Sequence, residues 1–289
     1  MAAPASSLIV VDVGNSRVKV GQFEPSGACP AGLPRSGLPI APPPLVEPVE
    51  VLTFSPRDAE GQLVSFEPLA EWISTRASEK TTAVVASVNR PIAARVIEEL
   101  KRIASPPSIR ALCGSDLPIE NLTRFPDRVG IDRLAAAVAA NRLRRDGGAA
   151  IVVDFGTAIT VDLITATGAF AGGAILPGIG TQASSLRQGT DALPEIVLDM
   201  EGKSPSAVGT STDEAIAAGL YWGAVGAVRE LIARQSDRLI SAPQVFVTGG
   251  TSPEMARLVG SPDYTVRYVP HLVLSGLAIA VGDSQGSSP

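Results

Sequence analysis

At 289 residues, 45% of them hydrophobic and only 4% aromatic, the chain is long enough for one large or two modest domains with cores of Ala, Val, Leu and Ile. A formal net charge of -5 with no long basic run argues against a nucleic-acid surface, so the expected partner is a small molecule. Cys29, Cys113 and the single His271 make neither a Cys/His metal cluster nor a disulfide framework, which fits a reducing cytoplasm.

The start, MAAPASSLIVVDVG, lacks the basic region of an export signal. The apolar run Leu272 to Gly282 falls short of the roughly 18 residues needed to span a bilayer. The expectation is a chain that is neither exported nor in a membrane.

In chain order, Leu8 to Val13 and Val18 to Phe23 read as a β-hairpin. Residues 24 to 48 are broken by proline and glycine with no period, and read as an inserted surface loop or a proline-rich docking peptide. Val49 to Phe54 resumes as a strand, then Phe66 to Ser78 as a helix, Thr82 to Ser87 as a buried strand, Ile92 to Ala104 as a helix and Ile109 to Cys113 as a strand. Alternation of strand and helix after a hairpin predicts an α/β domain.

The alanine-rich stretch Gly130 to Arg145 predicts a helix with Asp132 and Arg133 in its first turn. An acid there is read either as a dipole-matching residue or as a base beside an anion-binding arginine. Ile151 to Asp154, Thr160 to Ile164 and Ala171 to Leu176 then predict an antiparallel meander. Ile179 to Leu193 reads as a helix, the region of Ser204 to Thr212 as a loop, and Asp213 to Arg238 as a long helix capped by Ser211 or Thr212. Val245 to Val247 is a strand running into Thr248-Gly249-Gly250, either a simple turn or a flat surface for adenine or ribose. Glu254 to Leu258 and Leu272 to Val281 complete the chain as short helices.

Two of these hairpins are alike. In LIVVDVGNSRVK and IVVDFGTAIT an apolar strand ends in Asp-x-Gly: Asp12 matches Asp154 and Gly14 matches Gly156, with Asn15-Ser16 set against Thr157-Ala158. Asp-x-Gly alone is common at turns. Its recurrence at the head of each half predicts a duplicated fold, with a cleft between the two acidic glycine turns for a nucleotide and Mg²⁺.

Three motifs are set aside. Gly202-Lys203-Ser204 lacks the earlier glycine of a phosphate-binding loop, because Val197 stands in its place. Gly178, Gly180 and Ala183 imitate a dinucleotide fingerprint but follow Pro177 and a meander. His271 has no Ser or Cys motif pointing to it, so a nucleophilic triad is not expected.

Taken together, Asp12 to Ser16 with Lys19, Gly130-Ile131-Asp132-Arg133, Asp154 to Thr160, Gly172 to Gly178 and Thr248-Gly249-Gly250 resemble, in order and spacing, the motifs of type III pantothenate kinases. The resemblance runs from Leu8 to about Gly282, apart from the proline-rich insertion. It implies duplicated actin-like ATPase (ribonuclease H-like) domains of the actin, sugar kinase and Hsp70 superfamily, each a mixed sheet with an antiparallel three-strand meander flanked by helices. The expected division is 1–128 and 129–289.

The implied reaction is ATP-dependent phosphorylation of pantothenate by a cytoplasmic homodimer using Mg²⁺ and a monovalent cation, K⁺ or NH₄⁺. Carried over by position, Asp12, Val13, Gly14, Asn15, Ser16, Arg17, Val18 and Lys19 form a phosphate loop, with Asp12 organising Mg²⁺ indirectly. Thr157 contacts ATP phosphate and Asp154 serves the monovalent cation. Gly130, Ile131, Asp132 and Arg133 bind pantothenate with Asp132 as general base, and Thr212 is a substrate contact. Two positions depart from the family: Ser16 stands for its usual threonine, and Thr123 for a tyrosine before the Gly130 motif. Another small-alcohol kinase of the same superfamily, or a non-catalytic accessory relative, are the alternative readings.

Overall fold

The computed structural model describes residues 7–24, 45–58, 61–78, 80–199, 203–250 and 253–285. Most of the proline-rich loop, and Gly202 of the glycine-lysine-serine motif, therefore lie outside the described residues.

The first sheet is built from β1 (Leu8–Val13), β2 (Val18–Phe23), β3 (Glu50–Phe54), β4 (Thr82–Ser87) and β5 (Ser108–Ala111) in the order β3-β2-β1-β4-β5. β1 pairs antiparallel with β2, and β2 with β3, so these strands form a meander; β1 and β4, and β4 and β5, are parallel. Ile9, Val11 and Val13 lie buried with Leu69 and Ile73 of α1 (Glu67–Ser74) and with Ile92, Val96 and Leu100 of α2 (Arg90–Arg102). Because β1 is buried on both faces it reads as a continuous apolar run, broken only by Asp12.

The second sheet repeats this plan. It holds β6 (Ala150–Phe155), β7 (Ala158–Ile164), β8 (Phe170–Pro177), β9 (Gln244–Gly249) and β10 (Thr265–Tyr268) in the order β10-β9-β6-β7-β8. β6, β7 and β8 form the antiparallel meander, while β6 with β9 and β9 with β10 are parallel. Strand for strand this is the first sheet again, as the twin hairpins lead one to expect. Its buried cluster includes Ile151, Val153, Leu220, Val228, Val245 and Val247, with Ile179 and Ala183 of α4 (Ile179–Gly189), Ile216 of α5 (Thr212–Ser236) and Met255 of α6 (Pro253–Leu258).

The chain packs as two compact units that are not contiguous in sequence: 1–118, 127–143 and 273–289 in one, 119–126 and 144–272 in the other. A single cut at 128/129 differs from this because α3 (Ile131–Leu143) and α7 (Leu272–Gln285) pack with the first sheet. In that unit a Cβ on Gly276 of α7 would lie 1.8 Å from the Ala135 carbonyl oxygen of α3, and one on Gly21 of β2 would lie 3.2 Å from Leu274. Only a glycine permits so close an approach of two helix backbones.

Several boundaries move for identifiable reasons. α2 begins at Arg90, ahead of the expected Ile92, because the Asn89 side chain caps it by accepting from Ile92 N and Pro91 is tolerated in a first turn. α4 ends at Gly189, short of Leu193, although Leu193 still packs against the second core. β9 is longer than expected and takes in Thr248 and Gly249. β10, four residues long, has too short an alternation to be read from sequence.

α5 is long and apolar enough to cross a membrane by length and composition, a candidate that the shorter run at Leu272 obscured. Its Leu220, Ala224, Val228 and Ile232 are buried in the second core, as befits a core helix.

Candidate functional site

Asp12 and Asp154 occupy the same place in the two sheets. Each is the fifth residue of its six-residue strand, flanked in register by the antiparallel neighbour (Lys19 or Thr160) and by the parallel one (Ala86 or Thr248). Asp12 is buried and Asp154 half-buried. The turns that follow differ in length. Residues 14–17 separate β1 from β2, whereas only Gly156 and Thr157 separate β6 from β7, so Ala158 is the first residue of a strand and not a turn partner of Ser16.

The first turn closes through Gly14 N donating to Arg17 O at 3.0 Å. The end of β4 braces it: Val88 N donates to Val13 O at 3.1 Å, and Asn89, while capping α2, points its Nδ2 at Asn15 Oδ1 3.5 Å away. Beside that brace begins α3. Gly130 O accepts from Leu134 N, and a Cβ on Gly130 would meet Val88 Cγ1 at 3.6 Å and Asp132 Oδ1 at only 2.4 Å. Asp132 is thus turned back over Gly130, held by Arg133 N donating to its Oδ1 at 2.9 Å. Within the first unit, therefore, Gly130, Ile131, Asp132 and Arg133 come to the sheet end that carries Asp12 to Lys19. Asp132 and Arg133 are half-buried, so both are reachable from solvent.

The second turn is packed more tightly. Thr157 O accepts from Gly178 N at 2.9 Å and from Thr181 Oγ1 at 2.7 Å, and a Cβ on Gly178 would lie 2.1 Å from Gly156 O. On the other side, Gly249 at φ +102° packs closely on Asp154, whose Oδ1 would be 2.5 Å from a Cβ there. Gly250 N donates to Phe155 O at 2.8 Å. Sequence reading selected Asp154, Thr157 and the two glycine motifs but not Thr181, whose link to Thr157 spans 24 positions and has no local signal.

Thr212 is the first residue of α5 and not part of the preceding loop; Ser211 is the cap, accepting from Glu214 N at 3.2 Å. Thr212 borders an open apolar groove of about 400 Å³ with Leu186, Leu193, Ile216 and Leu220. Glu214 Oε2 accepts from both N and Oγ1 of Thr210 at 2.6 Å, and these bonds hold its carboxyl below the usual glutamate range. Gly209 lies against the same turn, where a Cβ would be 2.2 Å from Ala215 N.

The donor set can be tested against the cations the resemblance implies. Among the described residues no cluster of three or more His, Cys, Asp or Glu could enclose a metal. Mg²⁺ is suited to such a site, since it keeps its waters and binds through one or two carboxylates and substrate phosphates. Asp12, a carboxylate at a strand tip, fits that role. Asp154, a half-buried hard oxygen donor at the matching strand tip, has the chemistry a monovalent cation requires.

The model of the type III pantothenate kinase family matches residues 8–234. The chain belongs to that family. A type III pantothenate kinase of Anaeromyxobacter dehalogenans (strain 2CP-C) is 32% identical over 272 residues, covering 94% of this chain and 97% of that protein. One from Akkermansia muciniphila is 39% identical over 201 residues, 69% of this chain and 78% of that protein. The match to a Gluconobacter oxydans type III pantothenate kinase is 37% over 171 residues and spans 60% of that relative's length. A solved Sinorhizobium meliloti protein assigned as a 2-dehydro-3-deoxygalactonokinase shares the fold, with a TM-score of 0.56 at 13% identity, over 96% of this chain and 99% of that one. The doubled sheet of this chain is thus the fold of that protein.

Proposed function

We propose that this chain transfers the terminal phosphoryl group of ATP to the primary hydroxyl of pantothenate, giving 4'-phosphopantothenate, the entry step of coenzyme A synthesis. Family membership supports the reaction and its substrates. The observation that carries the assignment of roles is that Asp132 lies in the first turn of a helix at the same end of the first sheet as the Asp12 turn.

In this reading the amides and side chains of Asp12 to Lys19 hold ATP phosphate, and Thr157 supplies a further hydroxyl. Gly130, Ile131 and Arg133 bind pantothenate, with Thr212 as an added contact. Asp132 accepts the proton of the primary hydroxyl as that oxygen bonds to the γ-phosphorus; the bond from phosphorus to the bridging oxygen breaks and ADP leaves with the electron pair. Such transfers depend mainly on positioning and on neutralising charge. Mg²⁺ near Asp12 and K⁺ or NH₄⁺ near Asp154 would neutralise the phosphates. A homodimer working in the cytoplasm completes the reading.

The test is ADP release from ATP and Mg²⁺ with pantothenate, with and without K⁺. Turnover that requires pantothenate is expected. Phosphorylation of a different alcohol in its place would favour another kinase of the fold, and no turnover under any condition would favour an accessory protein.

A further inference from the structure

Thr157 gains its place from a helix that is not its neighbour in sequence. Its carbonyl oxygen accepts twice, from Gly178 N at 2.9 Å and from Thr181 Oγ1 at 2.7 Å. Both donors belong to the N-terminal turn of α4, with Gly178 as its cap and Thr181 in the first turn. α4 is itself anchored through buried Ile179 and Ala183 in the second core, and Gln182 Nε2 donates to Pro177 O at 2.7 Å. Gly178 cannot carry a side chain, because a Cβ would overlap Gly156 O at 2.1 Å and Thr157 O at 2.6 Å.

A carbonyl with both lone pairs engaged has a fixed peptide plane. In a trans peptide the following amide points the opposite way, so the clamp also sets the direction of Ala158 N–H. The first turn spans residues 14–17, closes on itself through Gly14 and Arg17, and is braced by Val88 and by the side chain of Asn89, the cap of α2. The shorter second turn is oriented from outside.

We infer that Thr181 is a positioning residue for ATP: its hydroxyl, with the Gly178 amide, holds the Gly156-Thr157 turn in the orientation that presents Thr157 to phosphate. The inference rests on the proposed contact between Thr157 and ATP. Thr181 is exposed, so its replacement leaves the core intact. The hydroxyl is the part that matters.

The experiment compares the full-length parent with Thr181→Val, Thr181→Ser and Thr157→Val in steady-state ADP release, with ATP varied at saturating pantothenate, pantothenate varied at saturating ATP, and Mg²⁺ and K⁺ saturating throughout. One lost hydrogen bond predicts a rise of about 3- to 10-fold in KM for ATP for Thr181→Val. KM for pantothenate and thermal midpoint should stay at parental values, and Thr181→Ser should restore KM for ATP. If Thr157→Val raises KM for ATP while Thr181→Val does not, or if Thr181→Ser fails to restore it, the positioning role is overturned and the phosphate contact stands. If Thr157→Val itself leaves KM for ATP unchanged, the phosphate contact fails and the positioning role with it. Equal rises in both KM values with a lowered melting point would mark Thr181 as merely structural and would also overturn the inference.

Discussion

Gly249 lies against the carboxylate of Asp154, so close that a Cβ on it would be 2.5 Å from Asp154 Oδ1 and 2.4 Å from the Phe155 carbonyl oxygen. Its φ of +102° is one that side-chain-bearing residues rarely adopt. Gly249→Ala should therefore destabilise the protein by about 1–3 kcal/mol through strain and overlap. Urea unfolding measures it, and a midpoint equal to the parent's would refute the close packing.

Asp132→Asn removes the proposed base while keeping shape and the bond to Arg133 N. The expected loss in kcat is about 10²- to 10⁴-fold with KM for ATP held near the parental value. Retained turnover would overturn the assignment of Asp132. Gly130→Ala offers a second route to the same carboxylate, since the new methyl would displace Asp132 Oδ1 from its place 2.4 Å away.

Asp154→Ala should blunt the response of turnover to K⁺, because it removes the carboxylate proposed to serve the monovalent cation. Rates are to be compared across a K⁺ series at constant ionic strength. An unaltered K⁺ dependence would remove the cation role from Asp154.

Two glycines in helices should respond in opposite senses to alanine. At Gly276 of α7 the methyl would run into the Ala135 backbone at 1.8 Å, which predicts destabilisation of about 1–3 kcal/mol or more. At Gly226 of α5 nothing lies within 4 Å, so alanine should stabilise by up to about 1 kcal/mol through helix propensity. Thermal melting of both variants checks the pair.

The cap of α5 should show in the pH dependence of stability. The Thr210 hydroxyl and amide hold the Glu214 carboxyl below the ordinary glutamate range. With the folded value depressed, the contribution is present above the unfolded glutamate pKa and is lost as pH falls through the folded one. Glu214→Gln should thus lower the melting point at neutral pH, with the difference from the parent shrinking in acid. A difference independent of pH would contradict the capping role.

Much of the fold was legible because it is encoded locally. The apolar strands around Asp12 and Asp154, the glycines after them and the alanine-rich helix at Gly130 are contiguous patterns, and a buried strand advertises itself by its run of Val and Ile. The repeat of one such pattern disclosed the duplication, which the matching strand orders bear out. Thr212 belongs to α5 and not to the loop that local pattern suggests, because Ser211 and Thr212 are both competent caps and only the bond from Glu214 N decides between them.

By itself, then, the sequence determined the two meanders, their acidic glycine turns and the family to which the chain belongs, since each is a short-range pattern of polarity and backbone freedom. Tertiary structure alone decided that α3 and α7 join the first sheet, which brings Asp132 to the end that holds Asp12. It alone decided that Thr181 and Gly178 grip the turn at Thr157. The physical reason is the same in both cases: which helix face or hydroxyl meets which turn is settled by burial and close packing between segments far apart in the chain, and no local pattern records it.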